Sequence, residues 1–257
     1  MTDQETTRRP ARLNKALRLG FRAAYDSLGY VVGASFAAFV ISALALTLMA
    51  WIARRTDAPG LIGLLLALPV MLIAWLSAVG IFYYARKSIY HEHPSIGDTW
   101  EGIKRLAAPA LALFVIDLLL SVIVLGDLAF FALAFRAKGG IAFAALAVVS
   151  AYVSLMWLMM SLYHLPLLTQ GTRVKAVLTK SFLLAADNPG FTAGLFVVII
   201  AFAVLCALPA AIGLVLLFIG AVAFVLTHAL RELFIKYGVV EDESEEVDDK
   251  PWRLPGR

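Results

Sequence analysis

The sequence predicts an all-α membrane protein in which six transmembrane helices form a polytopic helical bundle. Of the 257 residues, 61% are hydrophobic and 16% are charged, whereas soluble domains contain about half apolar and about a quarter charged residues. The apolar residues are also gathered into six runs, each near or above the roughly 20 residues that a spanning helix needs. These observations exclude a soluble enzyme, a disordered chain and a disulfide-stabilised scaffold, and the single cysteine, Cys206, lies inside an apolar run.

The membrane domain is predicted to cover residues 13–236. Its spans are Tyr30–Ile52, Leu61–Ala85, Leu106–Phe135, Ile141–Leu168, Phe191–Leu208 and Ala210–Leu230. The last two are separated only around Pro209, so a single re-entrant unit over residues 191–230 is the alternative. Residues 1–12 form an arm and residues 237–257 an acidic cytoplasmic tail, both predicted to be disordered because they contain few apolar residues.

The orientation follows from the positions of Lys and Arg, which are enriched in cytoplasmic loops. With the N-terminus inside, all but four of the 22 Lys and Arg residues fall on the cytoplasmic side. The four on the outer side are Arg54, Arg55, Arg136 and Lys138. Both termini are therefore predicted to be cytoplasmic. The Lys and Arg residues on that side are expected to contact anionic lipids. Nucleic acid is not an expected partner, because no basic segment carries a recognition motif.

A basic, amphipathic stretch precedes each odd-numbered span. In the first stretch, one helical face is apolar and the opposite face is basic at about 100° per residue. The basic residues of that face are Arg12, Lys15, Arg18 and Arg22. Residues 174–185 repeat the pattern, and residues 98–106 do so less regularly because Lys104 interrupts the apolar face. Such helices lie in the membrane interface, and the alternative is that each extends its span into the cytoplasm.

An internal repeat is predicted because residues 24–33 align with residues 185–194. It indicates three units, each made of an interfacial helix and a helical hairpin, over residues 13–87, 95–170 and 173–236. Two spans per unit make these parallel repeats, related by an axis along the membrane normal. The aligned segments place small residues for close helix packing at Gly29, Gly33, Gly190 and Gly194. We expect this packing inside the chain, and contact with a membrane protein partner or a second copy is the alternative.

Asp117 is the strongest candidate for a functional residue. It lies about 16 Å into the third span at the helical rise, and a carboxylate at the bilayer centre costs about 2.5–3.5 kcal/mol on insertion scales. We expect it to be neutral or hydrogen-bonded, with Ser121, Ser154 and Tyr152 as candidate partners. A role in a proton or ion path is the functional alternative.

His164 and His228 are further intramembrane polar candidates, near the cytoplasmic ends of spans four and six. Each is expected to be a hydrogen-bonded polar residue, and a cytoplasmic vestibule is the alternative. The run His91-Glu92-His93 contains metal-ligating residue types but no further ligands nearby, so no metal site is predicted.

No enzyme signature is found in the sequence. It contains no P-loop, no dinucleotide-binding glycine fingerprint, no HExxH and no GxSxG motif, each of which marks a specific chemistry. We therefore predict no catalytic residues and no cofactor.

Five short motifs resemble the YesL-like family, a domain of unknown function in bacterial membrane proteins. They are Leu68-Pro69-Val70, Phe82-Tyr83-Tyr84-Ala85-Arg86-Lys87, Asp98-Thr99-Trp100-Glu101-Gly102, Leu162-Tyr163-His164-Leu165-Pro166-Leu167-Leu168 and Asp187-Asn188-Pro189-Gly190-Phe191. The resemblance extends across residues 13–236. It implies a six-span helical fold in a bacterial plasma (inner) membrane and a loose association with carbohydrate-uptake genes, and it implies no catalytic residues.

Three functions follow as hypotheses from the absence of enzyme motifs in a six-span body. The first is a non-enzymatic accessory or scaffold subunit of a membrane complex, linked by the resemblance to carbohydrate uptake. The second is a small-solute or proton-coupled carrier that uses Asp117. The third, an intramembrane enzyme acting on lipid, has the least support because the sequence supplies no nucleophile–base pair.

The predicted orientation is testable with cysteines placed in a Cys206→Ala background. Thr6→Cys and Ser244→Cys should react with a membrane-impermeant maleimide only after the cells are permeabilised, because both would face the cytoplasm. Lys138→Cys should react in intact cells. Labelling of the two terminal cysteines in intact cells would contradict the orientation.

Overall fold

A computed structural model describes residues 10–53, 59–90, 94–208 and 212–240. Within these ranges the chain is helical and contains no strand. The helices are α1 Leu13–Asp26, α2 Leu28–Ala53, α3 Pro59–Ile89, α4 Ile96–Lys138, α5 Ile141–Ser161, α6 His164–Thr169, α7 Val174–Asp187, α8 Pro189–Ala207 and α9 Ile219–Lys236, with a π-helix at Leu214–Phe218 before α9. The predicted all-α class is confirmed.

Six helical segments are long and apolar enough to cross a membrane. They are α2, α3, α4, α5 continued by α6, α8, and the π-helix continued by α9. This agrees with the six predicted spans and supports a multi-pass membrane protein. Some features of the sequence lie outside the described residues: Arg54, Arg55, His91-Glu92-His93, Pro209, residues 1–9 of the arm and residues 241–257 of the tail.

The predicted third span begins ten residues too late, because α4 starts at Ile96 rather than Leu106. Its first turn is closed by a capping box, in which the Ser95 backbone N–H donates to the Asp98 carboxylate at 2.6 Å. A cap of this type satisfies backbone donors at the helix start. Residues 98–106 are thus continuous with the span, as in the alternative of a helical extension.

The first and third amphipathic stretches are separate helices, α1 and α7. The chain breaks between α1 and α2 at Ser27, and between α7 and α8 at Asn188. These two breaks fall at equivalent positions of the aligned segments 24–33 and 185–194. The three-unit repeat itself stays a prediction.

Helix α1 packs against α9. Its buried residues Ala16, Gly20 and Ala24 share one face, and a Cβ at Gly20 would stand 2.7 Å from the Val225 Cα. The Lys15 ammonium lies 3.6 Å from the Glu232 carboxylate, so the two helices run antiparallel. The face that we expected to meet lipid is thus partly covered by α9, and the interfacial position stays a prediction.

Helix α9 is the central helix of the bundle. More than half of the last span is buried, whereas at most a third of any other span is, and α9 contacts α1, α2, α3 and α6. The π-helix before it shifts the backbone hydrogen-bond register, so nearby backbone groups need other partners. The Gly220 N–H accordingly donates to the Ser35 hydroxyl of α2 at 3.1 Å.

The expected close packing at the repeated glycines is found at one of the four. The space beside Gly194 is filled by Leu13, whose Cδ2 would lie 2.5 Å from an added Cβ. Among the described residues, no atom of a neighbouring element lies within 4 Å of a Cβ added at Gly29, Gly33 or Gly190. The expectation was wrong for these three, because Gly29 and Gly33 face an open groove and Gly190 is exposed. Contact with a partner stays a prediction.

The glycine contacts predict opposite effects for two identical substitutions. Gly20→Ala should lower the midpoint of thermal unfolding in detergent, since the Val225 backbone must move and overpacking costs about 1–3 kcal/mol. Gly29→Ala is the matched control. It should leave the unfolding midpoint unchanged or raise it, because the added Cβ has no neighbouring atom within 4 Å among the described residues and alanine favours a helix. Equal midpoints for the two variants would contradict this packing.

Candidate functional site

Asp117 on α4 and His164 at the start of α6 form a contact within the spans. The His164 Nδ1 lies 3.0 Å from one carboxylate oxygen of Asp117 and 3.1 Å from the other, and the latter has hydrogen-bond geometry. The His164 side chain is fully buried, and 14% of the Asp117 side chain is exposed. The sequence indicated both residues separately as polar candidates, and the structure brings them together.

The expected partners of Asp117 were wrong, because the structure gives its carboxylate His164 as hydrogen-bond partner and Tyr152 is exposed. The Ser121 hydroxyl accepts a hydrogen bond from the Trp157 indole N–H at 2.9 Å. The Ser154 hydroxyl donates to the Val124 carbonyl at 3.2 Å. A serine hydroxyl on a helix readily donates a hydrogen bond to a nearby backbone carbonyl. His164 is therefore the partner of the Asp117 carboxylate.

The fourth span, which we predicted as one helix, has a local irregularity at Leu162 and Tyr163, although both residues keep helical backbone angles. Helix α5 ends at Ser161 and α6 begins at His164. Pro166 accounts for the irregularity, since proline has no N–H to donate and its ring clashes with the carbonyl four residues earlier. The short α6 is buried and contacts α3, α4, α7 and α9, which places His164 inside the bundle. Pro166 is the sequence signal that could have indicated this turn.

A cavity of about 540 Å³ borders Asp117 between α3, α4, α5 and α9. Its aromatic and hydroxyl-bearing lining residues are Trp75, Phe82, Phe114, Trp157, Ser121 and Ser161. Asp117 is the charged group among the described residues of this lining, which includes neither Lys nor Arg. The cavity wall is therefore apolar with one acidic group.

Two indole rings frame the cavity, and sequence reasoning did not single them out. The Trp75 N–H donates to the Ala110 carbonyl at 3.1 Å, and its ring is centred 6.0 Å from that of Phe114. The Trp157 ring meets the His164 ring edge-on at 5.6 Å. Both indole N–H groups are thus engaged with the protein, which holds the rings in fixed positions.

The histidine candidate on α9 does not join this site. His228 is buried, but it follows the cavity-lining Leu226 by two residues. Two helical positions are separated by about 200° of rotation, so His228 is directed away from the cavity. Its neighbour one turn earlier, Phe224, packs against the Tyr84 ring at 6.5 Å.

Polar contacts tie the helices together at the end of the bundle that we expect to be cytoplasmic. Arg86 of α3 donates to the Thr169 carbonyl at 3.0 Å, which places a positive charge at the C-terminus of α6, as the helix dipole favours. Lys87 of α3 pairs with Asp98 of α4 at 2.7 Å. Lys236 of α9 contacts the Asn188 side chain at the start of α8.

The interfacial basic residues of α1 divide into two groups. Arg12, Arg18 and Arg22 are exposed, whereas Lys15 is paired with Glu232. At the end of α3, burial raises the pKa of the Tyr90 hydroxyl, and the Arg231 and Arg86 guanidinium groups partly lower that pKa again. Of the exposed arginines, Arg22 lies 4.0 Å from the Asp26 carboxylate, and contact of this face with anionic lipid headgroups stays a prediction.

A second, smaller groove of about 300 Å³ lies between α2, α3 and α4. It is lined by small and aliphatic residues that include Gly29, Gly33 and Ala37. At its edge the Tyr30 and Thr99 hydroxyls share a hydrogen bond of 2.7 Å. Its described lining contains no charged residue and only the hydroxyls of Tyr30, Ser77 and Thr99 as polar side-chain groups, so this groove is mainly apolar.

Comparison with known proteins gives no relative for this chain. No protein-family model, no curated protein and no solved structure matches it. Among the described residues, no group of three His, Cys, Asp or Glu side chains could hold a metal ion. The Asp117–His164 pair and its cavity are therefore interpreted from their own geometry.

The Asp117–His164 contact predicts that the two residues are energetically coupled. His164→Leu should lower the midpoint of thermal unfolding, because an unpaired buried polar group costs about 1–3 kcal/mol. The double variant Asp117→Leu with His164→Leu should regain part of this loss, since no polar group is then left unpaired. Additive effects in this double-mutant cycle would contradict the coupling. Asp127→Leu, at an exposed position of α4, serves as the control.

Proposed function

We propose that this multi-pass membrane protein is a small-solute carrier whose transport is coupled to protons through Asp117 and His164. The observation that carries the proposal is the contact of 3.0 Å between a carboxylate and an imidazole inside the spans, beside a cavity of about 540 Å³. Ionisable residues inside membrane spans are rare, and they mark proton relays and substrate paths in pumps and transporters.

The irregular turn between α5 and α6 supports a carrier over a purely structural bundle. Transporters commonly form their substrate and ion sites at discontinuous helices, because the free helix ends and unwound backbone face the bound solute. Here His164 follows directly after the irregular turn at Leu162 and Tyr163 and contacts Asp117. The π-helix in the last span is a second departure from regular helix, and such bulges occur frequently at functional sites.

The pair is suited to bind and release one proton. A neutral imidazole and an ionised carboxylate that share one added proton have no net charge, and loss of that proton leaves one negative charge. Since Asp117 borders the cavity, a solute there would interact directly with the group that changes charge.

The contacts around α6 suggest how the charge change is transmitted. His164 begins this short helix, and the carbonyl of Thr169 at its end accepts a hydrogen bond from Arg86 of α3. A changed contact at one end of a rigid turn shifts the other end, because packed cores rearrange between discrete states. In this proposal α6 couples proton binding to movement against α3.

The remaining parts of the proposal come from the sequence. The carrier is non-enzymatic and works without a cofactor in a bacterial plasma membrane, with both termini in the cytoplasm. The resemblance to the YesL-like family and the distribution of Lys and Arg support this placement.

The proposal predicts that Asp117→Asn abolishes coupled transport, because the amide keeps the size of the side chain but cannot take up the proton. The measurement uses purified protein in vesicles with a trapped pH-sensitive dye, an imposed proton gradient and candidate solutes added outside. Wild type and Asp127→Asn should alter the internal pH when a transported solute is added, and Asp117→Asn should not. Full proton coupling in Asp117→Asn would overturn the proposal.

An accessory or scaffold subunit is the second candidate function, favoured by the small-residue face at Gly29 and Gly33, which nothing in the described chain fills. Such faces allow close approach of a neighbouring helix. Mass spectrometry after gentle detergent extraction should then detect a partner or a second copy, which Gly33→Leu removes. A wild-type protein that remains monomeric and alone would count against this candidate.

A further inference from the structure

We propose that the cavity beside Asp117 binds a lipophilic monovalent organic cation and exchanges it for one proton. This inference rests on the proposed carrier function and names its substrate class. The cavity combines a carboxylate, an apolar wall and several aromatic rings, and each of these features selects for a different property of such a cation.

The apolar wall selects for a lipophilic solute. Among the lining residues at the rim, 46% of Met71 and 36% of Leu158 are exposed, so the cavity opens on the side of the bundle that faces hydrocarbon. A solute dissolved in the bilayer reaches the cavity from that side without crossing water. The volume of about 540 Å³ is within the range of pockets that hold drug-sized molecules.

The aromatic rings select for positive charge. Trp75, Phe114 and the largely buried Trp157 all contribute to the cavity wall, and Phe114 packs beside Trp75. Cations are attracted to the faces of aromatic rings, most strongly to tryptophan and when desolvated. Quaternary ammonium groups are held in proteins by cages of this type.

The carboxylate and its partner set the exchange ratio. In a low-dielectric site an unbalanced charge is strongly unfavourable, so the occupied and empty states should both be neutral. The pair is neutral with one added proton. It becomes neutral again when that proton leaves to water and a monovalent cation takes its place beside the carboxylate. Charge balance therefore requires one proton released for each cation bound.

Other titratable groups do not compensate this exchange. The cavity-lining residues contributed by α3, α5 and α9 are apolar or uncharged. On the neighbouring elements, the Tyr163 hydroxyl is engaged with Thr192 at 2.8 Å, and Asp127 is exposed further along α4. His228 is directed away from the cavity, as derived above. Asp117, which is paired with His164, is therefore the titratable group that meets the solute.

Sugars and anions fit the cavity less well. A sugar needs several hydrogen-bond partners, but the described lining offers only the Ser121 and Ser161 hydroxyls and the Asp117 carboxylate among mostly apolar side chains. An anion would be repelled by Asp117, and no Lys or Arg occurs in the described lining. The chemistry of the wall thus favours a cation over the two other solute classes.

Binding of tetraphenylphosphonium to the full chain in lipid nanodiscs tests the inference. Titration calorimetry in two buffers of different ionisation enthalpy counts the protons released per cation bound. We expect saturable binding with release of up to one proton, and an affinity that rises up to tenfold per pH unit, because linkage makes proton and cation compete. Binding that does not depend on pH and releases no proton would overturn the inference.

Variants and analogues separate the features of the site. Asp117→Asn should lose the pH dependence and at least tenfold in affinity, while Asp127→Asn should bind as wild type does. Trp75→Leu should weaken binding several-fold. Triphenylphosphine oxide and tetraphenylborate, which are neutral and anionic, should bind at least tenfold more weakly than the cation. Equal binding of the neutral analogue, as expected of a lipid-filled groove, would overturn the cation site.

The outcome is distinguishable from failure of the carrier function. If tetraphenylphosphonium binding depends on Asp117 and His164 but no added solute changes the vesicle pH, the binding site stands and the carrier function is overturned. Proton-coupled transport of another solute, without tetraphenylphosphonium binding, would retain the carrier and overturn the substrate class. A thermal unfolding midpoint for Asp117→Asn near that of wild type controls for folding, and His164→Gln provides a second variant of the same pair.

Discussion

A hydrocarbon environment offers no water, so an unpaired polar group inside a span is costly and partners within the chain are favoured. The most demanding polar groups in this bundle are the Asp117 carboxylate and the His164 imidazole, which lie 3.0 Å apart. His164 begins the short helix α6, which follows an irregular turn of the fourth span and is buried among its neighbours. The same constraint acts on the backbone, where the Ser35 hydroxyl meets the Gly220 N–H beside the π-helix.

The core and the candidate site are built from different parts of the molecule. Helix α9 forms the centre, and close backbone contact at Gly20 holds α1 against it. The cavity opens away from this contact, on the side where α3, α4 and α5 meet α9. A rigid centre and a less filled side suit a protein that moves around a bound solute, because packed elements shift as units. The accessory-subunit hypothesis instead relies on the open glycine face of α2.

The pattern of the sequence predicted the candidate residues better than their partners. Asp117 stood out because a carboxylate is rare in an apolar run, and His164 because it lies near a span end. Their contact could not be predicted, since it depends on where Pro166 ends α5 and how α6 is turned. The serines proposed as partners for Asp117 are engaged with Trp157 and the Val124 carbonyl. Spacing along one helix does not reveal such competition between neighbours.

By itself, the sequence determined the all-α class and the six apolar helices, because the length of an apolar run is a local property that the bilayer thickness translates directly into a span. The tertiary structure determined which residues and which helices are in contact. It joined Asp117 to His164, left the glycines at Gly29 and Gly33 without a neighbour in the described chain, and covered one face of α1 with α9. These contacts join residues far apart along the chain. Because the helices are apolar on many faces, several helix pairings are compatible with the sequence. Shape complementarity and the hydrogen bonds of a few polar groups determine which pairing forms.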